Sequence, residues 1–226
     1  ANVACAPRAL LQPQDEAALR EAVVKAPGPV RVVGSGHSFT QLVSTDATLI
    51  NLDDFRSRQD ETCIVQQVDL DAATAWVSAC ARLRDLSPAL EREGLAFRNL
   101  GDINAQSLAG AAGTATHGTG ASFACLSAEI RGVRLMTAEG EVVEARLGVL
   151  LEAEMQLAPR FKLHRRTWAA PLARTLAEAD KRWAQHRNFE FFILPHSGYA
   201  INLTHDETSA EPTPRPPSED EAALAS

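Results

Sequence analysis

Val32-Val33-Gly34-Ser35-Gly36-His37-Ser38-Phe39 and, further along, Gly101 to Gly120 are the two stretches on which the fold turns. The first follows a short β-branched run, Val30 to Val33, and reads as a strand that ends in a glycine loop. It is not the dinucleotide fingerprint of a doubly wound sheet. G-x-G-x-x-G would need glycine at position 39, where Phe39 stands, and no long helical pattern follows. The second stretch is richer: Gly101, Gly110, Gly113, Gly118 and Gly120 are interleaved with Ser107, Thr114, Thr116, His117 and Thr119. Glycines let backbone N–H groups approach an anion closely, and hydroxyls add donors. Two such loops can wrap a dinucleotide pyrophosphate from both sides without a lysine. A Gly/Ala-rich packing helix with a loose end fits the same composition. On the first reading, a branched side chain at Gly110 or Gly113 would stand between donors and phosphates, and would be strained if φ is positive there.

Outward from these loops the pattern is mixed. Residues 13–26 read as a helix, with Leu19, Ala22, Val23 and Ala26 on one stripe and Asp15 and Glu16 in the first turn. Thr48 to Leu52 reads as a strand, and Thr74 to Ala79 pairs with a strand from Cys63 to Val68. Arg82 to Glu93 forms a second helix, with Leu83, Leu86 and Leu90 on one face and Gly94 as its stop. Ile130 to Thr137 and Glu141 to Ala145 flank Glu139-Gly140 as a hairpin. Val149, Leu151, Ala153, Met155 and Leu157 alternate with Glu152, Glu154 and Gln156, the pattern of a half-buried strand. After Pro159 comes an amphipathic helix, 171–187, carrying Leu172, Leu176, Ala179 and Trp183. Two strands follow, Phe189 to Leu194 and Tyr199 to Thr204, joined by Pro195-His196-Ser197-Gly198. From Ser209 the chain is Pro, Glu, Ser and Ala, a composition that does not order itself. The expected organisation is α+β: residues 1–159 as one domain, 160–208 as part of a second, and 209–226 as a tail.

The chain has 226 residues, 45% of them hydrophobic, enough for a sizeable core. A formal net charge of −7 argues against a general nucleic-acid binder. Five of the seven positions from Arg160 to Arg166 are Arg, Lys or His, and read as a solvated rim at the end of a strand. Cys5, Cys63, Cys80 and Cys125 lack zinc-ligand spacing, so no metal site is expected and reduced thiols in the cytoplasm are the default. No run of about eighteen apolar residues suits a membrane span. His196, His205, Asp206 and Glu207 match no standard metal pattern and read as loop residues between exposed strands.

Taken in order, Gly34-Ser35-Gly36-His37-Ser38-Phe39, Leu100-Gly101-Asp102-Ile103, Gln106-Ser107-Leu108-Ala109-Gly110 and Thr116-His117-Gly118-Thr119-Gly120 resemble the aldonolactone oxidase and alditol oxidase group. That group, which includes D-arabinono- and L-gulono-1,4-lactone oxidases, belongs to the vanillyl-alcohol-oxidase superfamily of FAD enzymes. The resemblance continues through Gly148-Val149-Leu150, Glu154-Met155-Gln156-Leu157, Phe189-Glu190-Phe191-Phe192 and Pro195, to about Thr204. It implies a PCMH-type FAD-binding domain of two small α/β subdomains, followed by a fragment of an α+β substrate-binding cap domain.

By the same resemblance, His37 carries FAD through the flavin 8α-methyl group, and a tethered flavin is a stronger oxidant. Val32, Val33, Gly34, Ser35, Gly36, His37 and Ser38 would lie along the pyrophosphate. Ser107, Gly110, Thr114, Ala115, Thr116 and His117 would line the second phosphate and ribose contacts, and Val149 would meet the adenine side by backbone atoms. Gly101 and Asp102 match the pair that faces the isoalloxazine ring. Glycine at the first position implies an oxidase, because no methyl blocks dioxygen; many relatives have Ser where this chain has Asp102. The implied reaction takes hydride from a CH–OH group of a sugar lactone or polyol and passes the electrons to dioxygen, giving hydrogen peroxide. The chain departs from the group's pattern in three ways. Members run to roughly twice this length, a His-Trp-x-Lys motif expected further on is not found, and between Glu144 and Val149 the usual segment is shorter. The base that must accept the hydroxyl proton falls outside these motifs, and no residue is nominated for it. A non-catalytic flavin-binding remnant is the competing reading. An NADPH-dependent reductase of the same superfamily would leave His37 unexplained.

Overall fold

The computed structural model describes residues 5–38, 40–55, 64–143 and 148–213. Phe39, Cys63 at the start of one expected strand, Ala145 at the end of another, the shortened segment after Glu144, and the end of the tail lie outside them. The chain divides into two compact units between Arg160 and Phe161.

In the first unit, β1 (Ala9–Leu11), α1 (Glu16–Val24), β2 (Val30–Val33) and β3 (Thr48–Asn51) build a parallel sheet of order β1-β3-β2. Helix α1 is shorter than the expected 13–26 because Asp15 caps it: the carboxylate accepts the Ala18 N–H at 2.7 Å. Leu19 from α1 is wholly buried with Ile50, Leu52, Phe55, Met136 and Leu151. Each such side chain contributes roughly 1.5–3 kcal/mol by leaving water.

The same unit continues with β4 (Val65–Asp69), β5 (Thr74–Ser78), α2 (Leu83–Arg92), β6 (Leu95–Ala96) and α3 (Leu108–Gly113). A 3-10 turn, Leu126–Glu129, leads into β7 (Ile130–Met136), β8 (Val142–Val143), β9 (Val149–Gln156) and β10 (Ala158–Pro159). The second sheet is antiparallel, in the order β4-β5-β9-β7-β8, and Leu83, Leu86 and Leu90 of α2 join Val77, Ala153 and Met155 in its core. The expectation that β9 is half-buried is corrected. As the central strand it buries Leu151, Ala153 and Met155, but also Glu152 and Gln156. Glu152 lies 3.8 Å from Arg134, which donates two hydrogen bonds, at 2.7 and 2.8 Å, to Glu16 at the start of α1. This ion group ties the parallel subdomain to the antiparallel one.

The second unit contains β11 (Lys162–Pro171), α4 (Leu172–Gln185), β12 (Asn188–Leu194) and β13 (Tyr199–Thr208), in a sheet of order β11-β13-β12. Three expectations change here. The basic run from Arg160 is solvent-exposed as expected, but Lys162 to Arg166 form the first half of β11 rather than a rim at the end of a strand. Ten residues of β11 pair in register with β13, from Lys162↔Thr208 to Pro171↔Tyr199, and backbone pairing overrides the polar composition. Helix α4 buries Thr175 and Ala179, while Leu176 is 55% exposed. The buried Thr175 hydroxyl accepts from Asn202 Nδ2 at 3.1 Å, so polar groups in register supply this contact. Finally, His205, Asp206 and Glu207 belong to β13 rather than a loop. Asp206 accepts from the Arg187 N–H at 3.0 Å and pairs with His186 Nδ1 at 2.7 Å. Burial pushes its carboxyl up, but these two hydrogen bonds, together with the charges of His186 and His164, outweigh burial and hold it below the usual range. Among the described residues no cluster of three His, Cys, Asp or Glu side chains is placed to hold a metal, and no helix is long and apolar enough to cross a membrane.

Candidate cofactor site

Strand β2 delivers the first loop. Val32 pairs with Ile50 and Val33 with Asn51, and the chain leaves the sheet at Gly34. Gly36 has φ +70°, a conformation that glycine takes without strain. Gly36 and His37 are exposed, and no hydrogen bond among the described residues reaches the backbone of Ser35, Gly36 or His37. Ser38 Oγ lies 3.1 Å from Thr40 Oγ1. The loop therefore presents a run of backbone N–H groups after a parallel strand.

The second loop is built differently. Ser107 caps α3: its hydroxyl accepts the Gly110 N–H at 3.2 Å. The next donors are also taken, Leu108 N–H by Ala81 O at 3.0 Å and Ala109 N–H by Ala79 O at 2.8 Å. At the other end, Ala115 N–H bonds Ala112 O at 3.2 Å and Thr116 N–H bonds Ala111 O at 2.9 Å. These two bonds make a Schellman turn with Ala115, at φ +53°, in the place where glycine is usual. Thr114 Oγ1 donates to Gly110 O at 3.0 Å, and Gln106 Nε2 donates to Thr116 Oγ1 at 3.2 Å. His117 Nδ1 donates to Gly118 O at 2.9 Å; a carbonyl only accepts, so Nε2 is the ring nitrogen left for a ligand. The backbone donors expected of residues 110 and 114–116 are thus engaged within the protein.

The glycines sort in the same way. Gly110 and Gly113 are helical, with no positive φ; an added Cβ would meet Ser107 Oγ at 3.1 Å in the first case and nothing within 4 Å in the second. The expected strain at these two positions is therefore absent, because neither is a turn residue. Close approach occurs at other glycines. A Cβ on Gly34 would stand 2.4 Å from Ser107 Oγ, so the root of the first loop lies directly against the cap of the second. One on Gly101 would meet His117 O at 3.2 Å and Thr116 Cγ2 at 3.5 Å, and one on Gly118 would meet Asn99 Oδ1 at 2.3 Å and Leu100 O at 2.4 Å. Gly34 is thus brought against Ser107, and Gly101 against Thr116 and His117; Asp102 is exposed beside Gly101. Val149 belongs to another neighbourhood: it opens β9 opposite Met136 and packs on the Leu19 core.

Sequence reasoning missed Arg82 and Asp53. Arg82 Nη2 is hydrogen-bonded to Asp53 Oδ1, and Nη1 donates to Ala105 O at 3.3 Å. These residues come from different subdomains, and no local pattern joins them. Nearby Cys80 is buried, and its thiol is pushed up to about 12, first by burial and then by the charges of Asp53 and Glu152.

The residues present fit a dinucleotide. One loop offers backbone donors without a partner among the described residues, the other a small-residue wall held by its own hydrogen bonds, and Gly34 at their contact leaves no room for a side chain against Ser107.

Comparison with known proteins agrees with this geometry. Residues 7–146 match the FAD binding domain family, and residues 153–224 match the D-arabinono-1,4-lactone oxidase family. The L-gulono-1,4-lactone dehydrogenase of Mycobacterium tuberculosis is 37% identical over 94% of this chain and 52% of its own length. The L-gulonolactone oxidase of Mus musculus is 29% identical over 92% of this chain and 50% of its own. The chain thus spans about half the length of these relatives. Among solved structures, a cholesterol oxidase from Brevibacterium sterolicum superposes with a TM-score of 0.73 at 13% identity, over 90% of this chain and 45% of that one. A berberine bridge enzyme does so with 0.68 at 16% identity, over 89% and 46%. Both share the fold. The chain belongs to the FAD-binding domain family, within its aldonolactone oxidase group.

Proposed function

We propose that this chain binds FAD between its two glycine loops and bonds it covalently through His37. We propose further that the whole protein oxidises a CH–OH group of a sugar lactone or polyol with dioxygen as acceptor. In this assignment residues 1–159 hold the cofactor, 160–208 contribute to the substrate side, and the thiols stay reduced in the cytoplasm. The single observation that carries the reading is the seating of Gly34 against Ser107, with the exposed His37 three residues further on.

FAD, when bound, supplies the hydride acceptor. The chain's part is to orient it. Val32 to Ser38 approach the pyrophosphate with backbone N–H groups. Ser107, Gly110 and Thr114 to His117 form the opposite wall, with Ala115 holding its turn, and Val149 offers backbone atoms to the adenine side. Gly101 keeps a methyl away from the flavin ring beside Asp102. His37, exposed on the first loop, would hold the cofactor covalently by giving up its imidazole N–H to a bond with the flavin methyl carbon.

A second reading, with an acceptor other than dioxygen, is favoured by one observation: the 37% identical relative is named a dehydrogenase. The rate at which chemically reduced protein reoxidises in air separates the two.

The covalent assignment is tested by acid precipitation. The native protein is expected to give a yellow pellet and His37→Ala a colourless one, with a melting temperature close to that of the parent. Flavin mass on the denatured mutant would overturn the assignment.

A further inference from the structure

We propose that Arg82 and Asp53 form a strut that sets the spacing of the two glycine loops, which makes Arg82 a positioning residue for FAD. The proposal rests on the reading that FAD lies between those loops. A continuous line of bonds carries it. Val33, the last residue before Gly34, pairs with Asn51 at the end of β3. Asn51 Oδ1 accepts the Asp53 N–H at 2.8 Å, and Asn51 Nδ2 donates to Asp53 Oδ2 at 3.2 Å, which fixes that carboxylate relative to the root of the first loop. The other carboxylate oxygen, Oδ1, accepts from Arg82 Nη2. Arg82 Nη1 reaches Ala105 O at 3.3 Å, two residues before the Ser107 cap, and the Arg82 backbone bridges to Ser107 itself.

The guanidinium side chain is only 16% exposed, so it is committed to this position rather than solvated. Its planar fork holds two acceptors at a fixed separation, one from each subdomain; a lysine would hold either one, not both in register. Removing the strut leaves the Gly34–Ser107 contact as a pivot and lets the loops open or shut about it. A hydrogen bond to a charged group is among the stronger polar contacts, and losing one is felt as roughly a tenfold to hundredfold change in an equilibrium.

The test is FAD titration, followed by flavin fluorescence, in a His37→Ala background where binding is reversible, with the apoprotein melting temperature measured alongside. Asp53→Asn keeps the shape and removes the charge; Arg82→Met keeps the stem and removes the fork. Each is expected to weaken FAD roughly tenfold to a hundredfold at a temperature where the protein is fully folded. The double variant is expected to be no weaker than Arg82→Met alone, and Arg82→Lys to recover only part of the loss. Unchanged affinity in the single variants, or losses that add in the double, would overturn the strut. Should Arg82→Met fail to fold, Asp53→Asn alone decides, since its backbone N–H and single carboxamide oxygen keep the two bonds to Asn51 while its amino group cannot accept from Arg82. A His37→Ala parent that binds no FAD would sink the two-loop reading itself, and the strut's role with it.

Discussion

Ser35, Gly36 and His37 follow a parallel strand with no hydrogen bond to their backbone among the described residues, whereas residues 107–118 are tied to themselves and to Ala79 and Ala81 by a series of bonds. Both stretches are rich in glycine, yet glycine serves a different purpose in each. In the first it permits a left-handed turn at Gly36 and leaves donors open. In the second it removes side chains where two segments touch, as Gly101 does against His117 and Gly118 against Leu100. Composition alone merges the two cases. A donor can bind an anion only if the fold has not already satisfied it. The second loop is a rigid wall, whereas in the first the N–H groups of Ser35, Gly36 and His37 have no partner among the described residues.

The largest effect that would break this contrast is expected at Gly118. An added Cβ would stand 2.4 Å from the Leu100 carbonyl oxygen, and backbone cannot swing aside as a side chain can. Overpacking of this kind costs about 1–3 kcal/mol. For a unit of this size each kcal/mol lowers the melting temperature by roughly 2–4 °C. Gly118→Ala should therefore melt several degrees lower and bind FAD more weakly. Its control is Gly113→Ala, where nothing lies within 4 Å and alanine suits the helix; that variant should melt at or above the parent temperature. Equal melting temperatures for the two variants would mean that the second loop is not the rigid element described.

A smaller effect sharpens the contact between the loops. Gly34→Ala should push on Ser107 Oγ, displace the hydroxyl from the Gly110 N–H and open α3 at its first turn. Ser107→Ala loses the same cap without the clash, at a cost of about 1 kcal/mol. The two losses share one bond, so the double variant should be less destabilised than their sum, with a coupling of about 0.5–1 kcal/mol by thermal unfolding. Strict additivity would separate the loops.

The elements that could be read from the sequence were those with a strong period or a cap. Leu83, Leu86 and Leu90 marked α2, and alternation from Val149 marked β9. Glycine spacing marked both loops, and the family followed from them. What could not be read depended on partners distant in the chain. Strand β11 is polar from Lys162 to Thr167 apart from Leu163, and is defined by its ladder to β13. Glu152 looked solvent-facing until β7 placed Arg134 beside it. The buried face of α4 is set by Thr175 meeting Asn202, where the apolar stripe through Leu176 pointed a neighbouring way. The same holds at the site. The glycines of the second loop were visible, but the bonds that occupy its N–H groups come from Ala79, Ala81 and the turns of α3, and Arg82 meets Asp53 only because two subdomains close on each other.

The smallest expected effect is also the most local. Ala115 holds φ +53° at the end of α3, in the conformation that lets the Ala115 and Thr116 N–H groups reach back to Ala112 and Ala111. A Cβ in that region costs about 1–2 kcal/mol, and glycine removes the cost while adding freedom to the unfolded chain, which takes back about 0.4–1 kcal/mol. The balance favours Ala115→Gly by about 0.5–1 kcal/mol, a rise of roughly 1–4 °C in the apoprotein melting temperature. Because the variant keeps the same turn and leaves the donors of the second loop as engaged as before, its FAD affinity should match that of the parent. Gly36→Ala makes the complementary change: it puts a Cβ at φ +70° in the first loop, where nothing lies within 4 Å to oppose it, on the very backbone whose N–H groups are open. It should lower stability by a similar amount and weaken FAD as well. If the Ala115 and Gly36 variants changed FAD affinity equally, the open donors of the first loop would hold no advantage over the closed ones of the second.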